Sequence, residues 1–486
     1  MLQVTRETNT YLADFDALGT ETPQPAWLQR LRDAAMARFA DLGFPTTRQE
    51  DWKYTNVAPI AQTPFRLAAA PGRSLRAPDI HANQPRRSSQ DGPAEWQRLL
   101  AALTFGEPTW PRLVFVDGHY APQLSSWGTN TGERSDARLP SGSGPYPPAQ
   151  LPPGVRAMDL AEALRTEADL AQQHLAQHAQ SDSSGFVALN TAFIRHGAFV
   201  SIPADESPES PIHLLFISTA STPDTVSHPR VLLIVGSGST ASIVESYVSL
   251  GEGVSFTNAV TEIVVGDNAT VEHVKLLEEN VNAFHVATTQ VHQGHDSRFT
   301  SHSVAMGAGL GRNDLRVVLA GEGAECTLNG LYVTDGTQHI DNHTAVDHAQ
   351  PHGASRELYK GILNGRSRAV FNGKVIVRPG AQKTDAYQTN RNLLLSPEAT
   401  VDTKPQLEIF ADDVKCSHGA AIGSLDEQAT FYLLSRGLGR EAARQMLTYG
   451  FATEVTKRIA PQPVRSHVER LLAAKLDADP VGASDD

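Results

Sequence analysis

Apolar residues recur at helical spacing near the start of the chain. Trp27, Leu28, Leu31, Ala34, Ala35, Met36 and Phe39 share one face of 25–44, and Gly43 followed by Pro45 closes the segment. The pattern predicts an amphipathic helix within a helical N-terminal region. The next run, Arg48-Gln49-Glu50-Asp51-Trp52-Lys53-Tyr54-Thr55, sets its aromatics two apart among charges, which fits a half-exposed surface, a short strand or a packed connector. Leu113, Val114, Phe115 and Val116 make a short buried strand within 111–120, and 157–180 reads as a polar-faced helix. Two stretches, 77–96 and 125–154, shift to Pro, Gly, Ser, Arg and Asn, the composition of loops and linkers, and the second reads as an insertion.

From Phe186 to His418 the pattern changes character. Short β-rich runs at 212–216, 231–235, 241–248, 260–265, 270–276, 316–319, 327–333, 369–377 and 407–409 follow one another, with almost no helical periodicity between them. So long a succession, broken by small turns such as Gly266-Asp267-Asn268 and Gly321-Glu322-Gly323, favours stacked coils over a single sandwich. No strict numerical repeat is visible, so periodicity alone gives an elongated all-β region that leans toward a β-helix. Helical spacing returns after Gly423: Phe431, Leu433 and Leu434, a break at Gly437-Leu438-Gly439, then Ala442, Ala443, Met446 and Leu447, and after Gly450 a third stretch with Phe451, Val455 and Ile459. The predicted organisation is a helical N-terminal region with Pro/Gly-rich loops over 1–180, a β core over 181–423, a helical domain over 424–476 and an acidic tail over 477–486.

Composition narrows the function classes. With 40% apolar and 20% charged residues among 486, the chain has the make-up of a folded globular protein larger than a single ordinary core. A formal net charge of -13 without any polybasic run argues against nucleic acid or anionic lipid as partners. No apolar run is long enough to span a bilayer, and 1–16 has nothing like a secretory core, so the expected location is the cytoplasm. The two cysteines, Cys326 and Cys416, give no disulfide framework and fit a reducing compartment. Nucleotide hydrolysis is not expected, because the nearest fragment to a phosphate loop, Asn372-Gly373-Lys374, lacks the earlier glycine and the hydroxyl residue.

The sharpest local feature is Asp412-Asp413-Val414-Lys415-Cys416-Ser417-His418-Gly419. If this segment is extended, alternation puts Cys416 and His418 on one face. A thiol beside an imidazole suits a soft metal or an iron-sulfur cluster, and it equally suits a His-activated Cys nucleophile. The plainer account makes Cys416 a small buried hydrophobe and His418 a turn residue. Two ligands do not complete a cluster site, so a partner must supply the rest. A second series, His339, His343, His348 and His352 with Asp341 and Asp347, lacks the helical context of a zinc motif and reads as exposed histidines on strand faces and turns.

Ordered segments in the C-terminal half carry a more specific signal. Ser355-Arg356-Glu357-Leu358-Tyr359-Lys360-Gly361, Ala369-Val370-Phe371-Asn372-Gly373-Lys374, Lys383-Thr384-Asp385-Ala386, Asn392-Leu393-Leu394-Leu395, 402–409 and 412–419 together resemble the core of the SufB/SufD family, closest to its SufD branch. Phe431-Tyr432-Leu433-Leu434-Ser435-Arg436-Gly437 resembles that family's helical C-terminal segment, and Glu50-Asp51-Trp52-Lys53-Tyr54-Thr55 its N-terminal signature. The resemblance implies a right-handed parallel β-helix core with helical flanks. It also implies a non-catalytic scaffold subunit for iron-sulfur cluster assembly, paired with a SufB-like subunit and docked by a SufC-like ATPase. His418 and Cys416 match the family's histidine and neighbouring cysteine at the site of the nascent cluster. Leu433, Leu434, Arg436, Met446 and Phe451 are the expected ATPase-docking residues. A transient iron-sulfur cluster shared with the SufB-like subunit is the implied cofactor, a flavin in the complex is possible, and nothing is expected to bind the lone chain stably.

Two other readings stand beside it. A carbohydrate-active β-helix enzyme would draw its carboxylates from Asp341, Asp347, Asp385 and Asp402, although no spacing pairs them. A SufB-like homodimeric scaffold is the nearer alternative, and the scarcity of cysteine argues against it.

Overall fold

The computed structural model describes residues 6–19, 25–68, 92–106, 110–126, 151–182, 184–220, 222 and 224–477. Most of the two loop-like stretches and nearly all of the acidic tail lie outside the described residues. From Gly197 onward the chain coils through strands β1 (Gly197–Ile202), β2 (Ile212–Ser218), β3 (Arg230–Val235), β4 (Thr240–Ser249), β5 (Ser255–Val265), β6 (Thr270–Glu278), β7 (Phe284–Gln293) and β8 (Arg298–Ala305). It continues through β9 (Leu310–Leu319), β10 (Glu325–Thr334), β11 (His339–His348), β12 (Ala354–Leu363), β13 (Arg368–Val377), β14 (Asp385–Leu394), β15 (Thr400–Ile409) and β16 (Lys415–Gly423). Odd-numbered strands stack in order into one sheet and even-numbered strands into the other, each parallel to its neighbours. Two strands per turn make a parallel β-solenoid of eight turns.

Alternation explains why these segments are strands. In β11, Ile340, Asn342, Thr344, Val346 and His348 are all buried, and Ile340 and Val346 join the central apolar core. The turns supply the repeat that the sequence conceals. Gly238, Asn268, Asp296, Gly323, His352 and Lys383 all have positive φ, at intervals of 27 to 31 residues. Each donates its backbone N–H to a carbonyl one coil further on: Asp267, His295, Glu322, Pro351, Gln382 and Asp413 respectively. Because coil length drifts by up to four residues and the left-handed position changes residue type, no numerical period shows in the sequence.

Helices of the N-terminal region lie on the outer face of the odd-numbered sheet. Helix α1 (Arg6–Gly19), helix α2 (Ala26–Leu42) and helix α3 (Gly185–Ala192) share a cluster that includes Tyr11, Met36, Phe39, Phe186 and Leu189, packed on Val226, Phe256 and Val286. The predicted helix over 25–44 is α2, and Gly43 at φ +61° ends it by donating its N–H to Phe39. Helix α3 falls where only strands were expected. All eight of its residues are buried, so no polar face marks a helical period, and Ser184 caps it by accepting from Val187 N–H. The polar-faced helix expected over 157–180 is also corrected: Arg156–Asp159 is a strand antiparallel to β1, followed by two short helices that bury Leu160, Ala163, Leu164 and Ala171. Arg112–Val116 is a strand as predicted and runs parallel to β2. Residues 48–55 form a connector rather than a strand, with a single 3-10 turn at Glu50–Trp52.

The chain ends in helices α4 (Glu427–Ser435), α5 (Arg440–Thr456) and α6 (Gln462–Asp477). The break expected at Gly450 does not occur. Gly450 lies in the interior of α5 on an open face, where a glycine costs about 1 kcal/mol relative to alanine, too little to end a helix anchored by Ala443, Ala452 and Val455. Ile459, Val464, Val468 and Leu472 fold back onto the even-numbered sheet against Val274, Leu276, Leu331 and Ile362. Among the described residues no helix is long and apolar enough to cross a membrane.

Candidate functional site at the open end of the solenoid

β15 and β16 are the last strands of their sheets, and among the described residues no strand pairs with their outer edges. Interior strands are largely buried, whereas β15 is half-buried along most of its length and β16 is mostly exposed. The solenoid therefore ends without a cap, leaving backbone donors and acceptors and the last layer of its interior open to another chain.

Cys416 and His418 are both on β16, in register with Ala386 and Gln388 of β14. Ala386 and Gln388 are fully buried in the interior, while Tyr387 between them is 55% exposed, so alternation carries the same inward face to Cys416 and His418. Cys416 is half-buried against Val375, Val377, Leu407 and Val414, and burial pushes its thiol up. His418 is exposed. An imidazole and a thiol thus share the inward face of the terminal strand, and binding a soft metal there would release the thiol proton. Cys326 is elsewhere: it is buried in β10, and burial likewise raises its thiol.

Exposed apolar side chains lie on the same two terminal strands and just after β15. Ile409 is 40% exposed, Phe410 62% and Ile422 50%. The adjacent apolar residues Ile409 and Phe410 at a strand end carried the available signal, since alternation turns one of two neighbours outward.

The residues expected to dock an ATPase are divided by the structure. Met446 is 53% exposed, Arg436 is exposed and Leu433 and Leu434 are half-buried. Phe451 is half-buried in the seam between α5 and the solenoid, with the Lys360 ammonium 4.1 Å from its ring centroid, so it belongs to the packing rather than the open face. Phe431 and Tyr432, absent from the expected set, are the most exposed aromatics on α4, and the Arg436 guanidinium sits 5.1 Å from the Tyr432 ring centroid.

The histidine series does not converge. His339 and His343 face outward on β11 but are partly covered, His339 beside Thr55 at 2.9 Å and His343 beside Asp341 at 3.1 Å, and His348 is buried inside and bonds Ser355 at 2.9 Å, so of the four expected to be exposed only His352, in a turn, is. No group of three or more His, Cys, Asp or Glu is placed to hold a metal ion among the described residues. The carboxylates that a glycosidase would need are each paired to an arginine: Asp341 to Arg312 at 2.8 Å, and Asp347, Asp385 and Asp402 to Arg378, Arg356 and Arg368 at 2.6–2.7 Å. A general acid must keep its proton, and a guanidinium partner opposes that.

Parallel coils with an uncapped final turn define a β-solenoid protein whose candidate site lies at one end. The chain belongs to the SufB/SufD family of iron-sulfur cluster assembly proteins. Residues 216–451 match the family model described as SUF system FeS cluster assembly, SufBD core domain, and 9–73 with 144–214 match the SufBD protein N-terminal region. It is 31% identical to the iron-sulfur cluster assembly protein SufD of Escherichia coli strain K12 over 464 residues, 95% of each chain. It is 30% identical to the iron-sulfur cluster assembly SufBD family protein slr0076 of Synechocystis over 458 residues, 91% of this chain and 90% of that one. SufD of Bacillus subtilis is 25% identical over 93% of this chain and 95% of its own. Within the family the chain stands closest to SufD.

Proposed function

We propose that the chain is a non-catalytic SufD-like scaffold subunit of a SufBCD complex that builds and releases nascent iron-sulfur clusters. Its β15–β16 end pairs with a SufB-like subunit, and its C-terminal helices dock a SufC-like ATPase in the cytoplasm. The observation that carries this reading is the uncapped terminal turn, where Cys416 and His418 share the inward face of β16 and Ile409, Phe410 and Ile422 are exposed. An apolar, unpaired edge is a surface for another chain. The cluster is cargo rather than a resident cofactor, because this chain offers two ligands and the partner completes the set. Any flavin belongs to the assembled complex, and the lone chain can pair with a second copy of itself. The exposed Phe431, Tyr432 and Met446 on α4 and α5 support a second contact, made by the ATPase.

Co-expression with SufB-like and SufC-like chains tests the proposal. Affinity capture of this chain followed by size-exclusion chromatography with light scattering is expected to recover all three together. A chain that stays monomeric in their presence would overturn the reading, and polysaccharide cleavage by that monomer would replace it.

A further inference from the structure

Glu357, Gln388 and His418 occupy one column of the even-numbered sheet, in register on β12, β14 and β16. Glu357 is 6% exposed and Gln388 is fully buried, and Gln388 Nε2 donates to Glu357 Oε2 at 2.6 Å. Gly373 on the opposite sheet makes room for this arrangement. A Cβ at that position would come within 2.2 Å of Gln388 Nε2. In the other direction the column meets buried Leu328 on β10 and turns apolar.

The same three turns leave buried polar atoms without protein partners at Gln388 Oε1, Tyr359 OH, Asn342 Nδ2 and Thr403 Oγ1, while the Glu357 carboxyl meets Gln388 and, across the interior, Thr344. All belong to inward-facing positions of β11, β12, β14 and β15. A buried polar atom without a partner costs about 1–3 kcal/mol, and several gathered in one place are ordinarily served by ordered water. The column ends at the uncapped edge, where His418 is exposed.

We propose that the last three turns enclose a short file of ordered water that runs from Glu357 past Gln388 to the open edge at His418, a dead-end shaft that carries protons to and from the interior. The proposal rests on register and unpartnered atoms and stands whether or not the scaffold reading does. Burial pushes the Glu357 carboxyl up to about 7. The titratable groups beside it are Cys326 and Tyr359, both raised by burial and neutral, while the opposite sheet presents Asn342, Thr344, Phe371 and Gly373. Glu357 can therefore gain or lose a proton near neutrality if the shaft reaches solvent.

Infrared spectroscopy of the full chain tests this directly. Glu357→Gln identifies the protonated-carboxyl absorption of Glu357 as the band it removes. In the wild type that band is expected at about pH 5, to fade as pH rises through about 7, and to shift within the mixing time on transfer to D2O. Gln388→Leu, or Gln388→Met if the first variant does not fold, is expected to slow that shift at least about tenfold in a chain that stays folded, with a melting temperature lowered by the stranded Glu357 oxygen. A band that takes hours to exchange in the wild type would mean a sealed interior. The absence of any Glu357-dependent band at acid pH would mean a carboxylate already ionised. Either result overturns the proposal.

Discussion

Trp52 lies over the guanidinium of Arg312, whose Cζ is 3.7 Å from the ring centroid. Beneath the stack Arg312 pairs with Asp314 at 2.9 Å and with Asp341 at 2.8 Å, and Nη1 also donates to the carbonyl of Asp51. Thr55 Oγ1 donates to Asp341 Oδ2 at 2.6 Å. The Glu-Asp-Trp-Lys-Tyr-Thr signature is thus a strap that covers a buried charge cluster on the outer face of the odd-numbered sheet.

Removing the cation should cost far more than removing the ring. Arg312→Met removes the main cation from Asp314 and Asp341 and leaves His343, 3.1 Å from Asp341, to face both, and a loss of about 3–5 kcal/mol is expected. Trp52→Ala removes a cation–π contact and half-buried apolar area, for about 2 kcal/mol. Denaturant titration followed by circular dichroism measures both. Burial would raise the Asp341 carboxyl, but Arg312 and its hydrogen bonds hold it well below the usual range. A depressed carboxylate stabilises fully above its unfolded value of about 4 and loses that contribution as pH falls below it. Arg312→Met should flatten this acid dependence.

A second buried charge group lies inside the early turns. Lys275 is in register with Glu245, its ammonium 5.3 Å from the Tyr247 ring centroid, and Glu245 accepts from Tyr247 at 2.5 Å and from His273 and Thr261 at 3.1 Å. Burial opposes both charges, and the mutual attraction with these hydrogen bonds holds Glu245 at about 2. Glu245→Gln alone should destabilise by about 3–5 kcal/mol by stranding Lys275. Adding Lys275→Met should restore part of the loss, a coupling above about 1 kcal/mol in a double-mutant cycle. Strict additivity would show that the two side chains do not sense each other.

How much of this was readable in the sequence depends on where each signal lies. Strand alternation exposed the solenoid, and Cys416 and His418 were legible as a same-face pair because two-residue spacing on a strand is local information. Helix α3 was not, because a helix apolar on every side shows no period. Of the partners of Arg312 only Asp314, two residues on along the same strand, is local; Asp51 comes from the strap and Asp341 from the neighbouring strand, a register that no local pattern encodes. Glu357 looked like one charged residue of a family segment. Its burial is visible only once Leu328, Gln388 and His418 are stacked around it.

At the open end, charge should separate assembly from folding. Ile422→Asp and Phe410→Asp place carboxylates on side chains that are 50% and 62% exposed, so stability should change by no more than about 0.5 kcal/mol. Capture of a SufB-like partner should nevertheless fall at least about tenfold. Phe431→Ala with Tyr432→Ala should reduce SufC-like binding and leave the SufB-like contact intact. Losing both contacts in either variant would point to misfolding, which the melting curves would reveal.

His418→Ala should leave the complex intact, because the side chain is exposed and its strand is paired by backbone hydrogen bonds. Cluster formation on the complex, followed by its visible absorption, should fall severalfold. Cys416→Ser should act in the same direction, since a hydroxyl is a poor ligand for iron in place of a thiolate. Normal cluster yield in both variants would reduce the pair to packing.

Glu357→Gln provides a thermodynamic test of the interior. Folding holds the Glu357 carboxyl at about 7, above its unfolded value of about 4.3, so the folded state binds the extra proton between those limits. Stability from this group is complete below the unfolded value and is lost as pH rises through the folded one, because the unfolded state binds fewer protons there. Over that window the wild type should lose about 3–4 kcal/mol that the isosteric amide does not. At about pH 8 Glu357→Gln should therefore be the more stable protein, and near pH 4 the two should converge. Denaturation midpoints measured across this range decide the matter, and parallel curves for the two proteins would mean that Glu357 does not change protonation on folding.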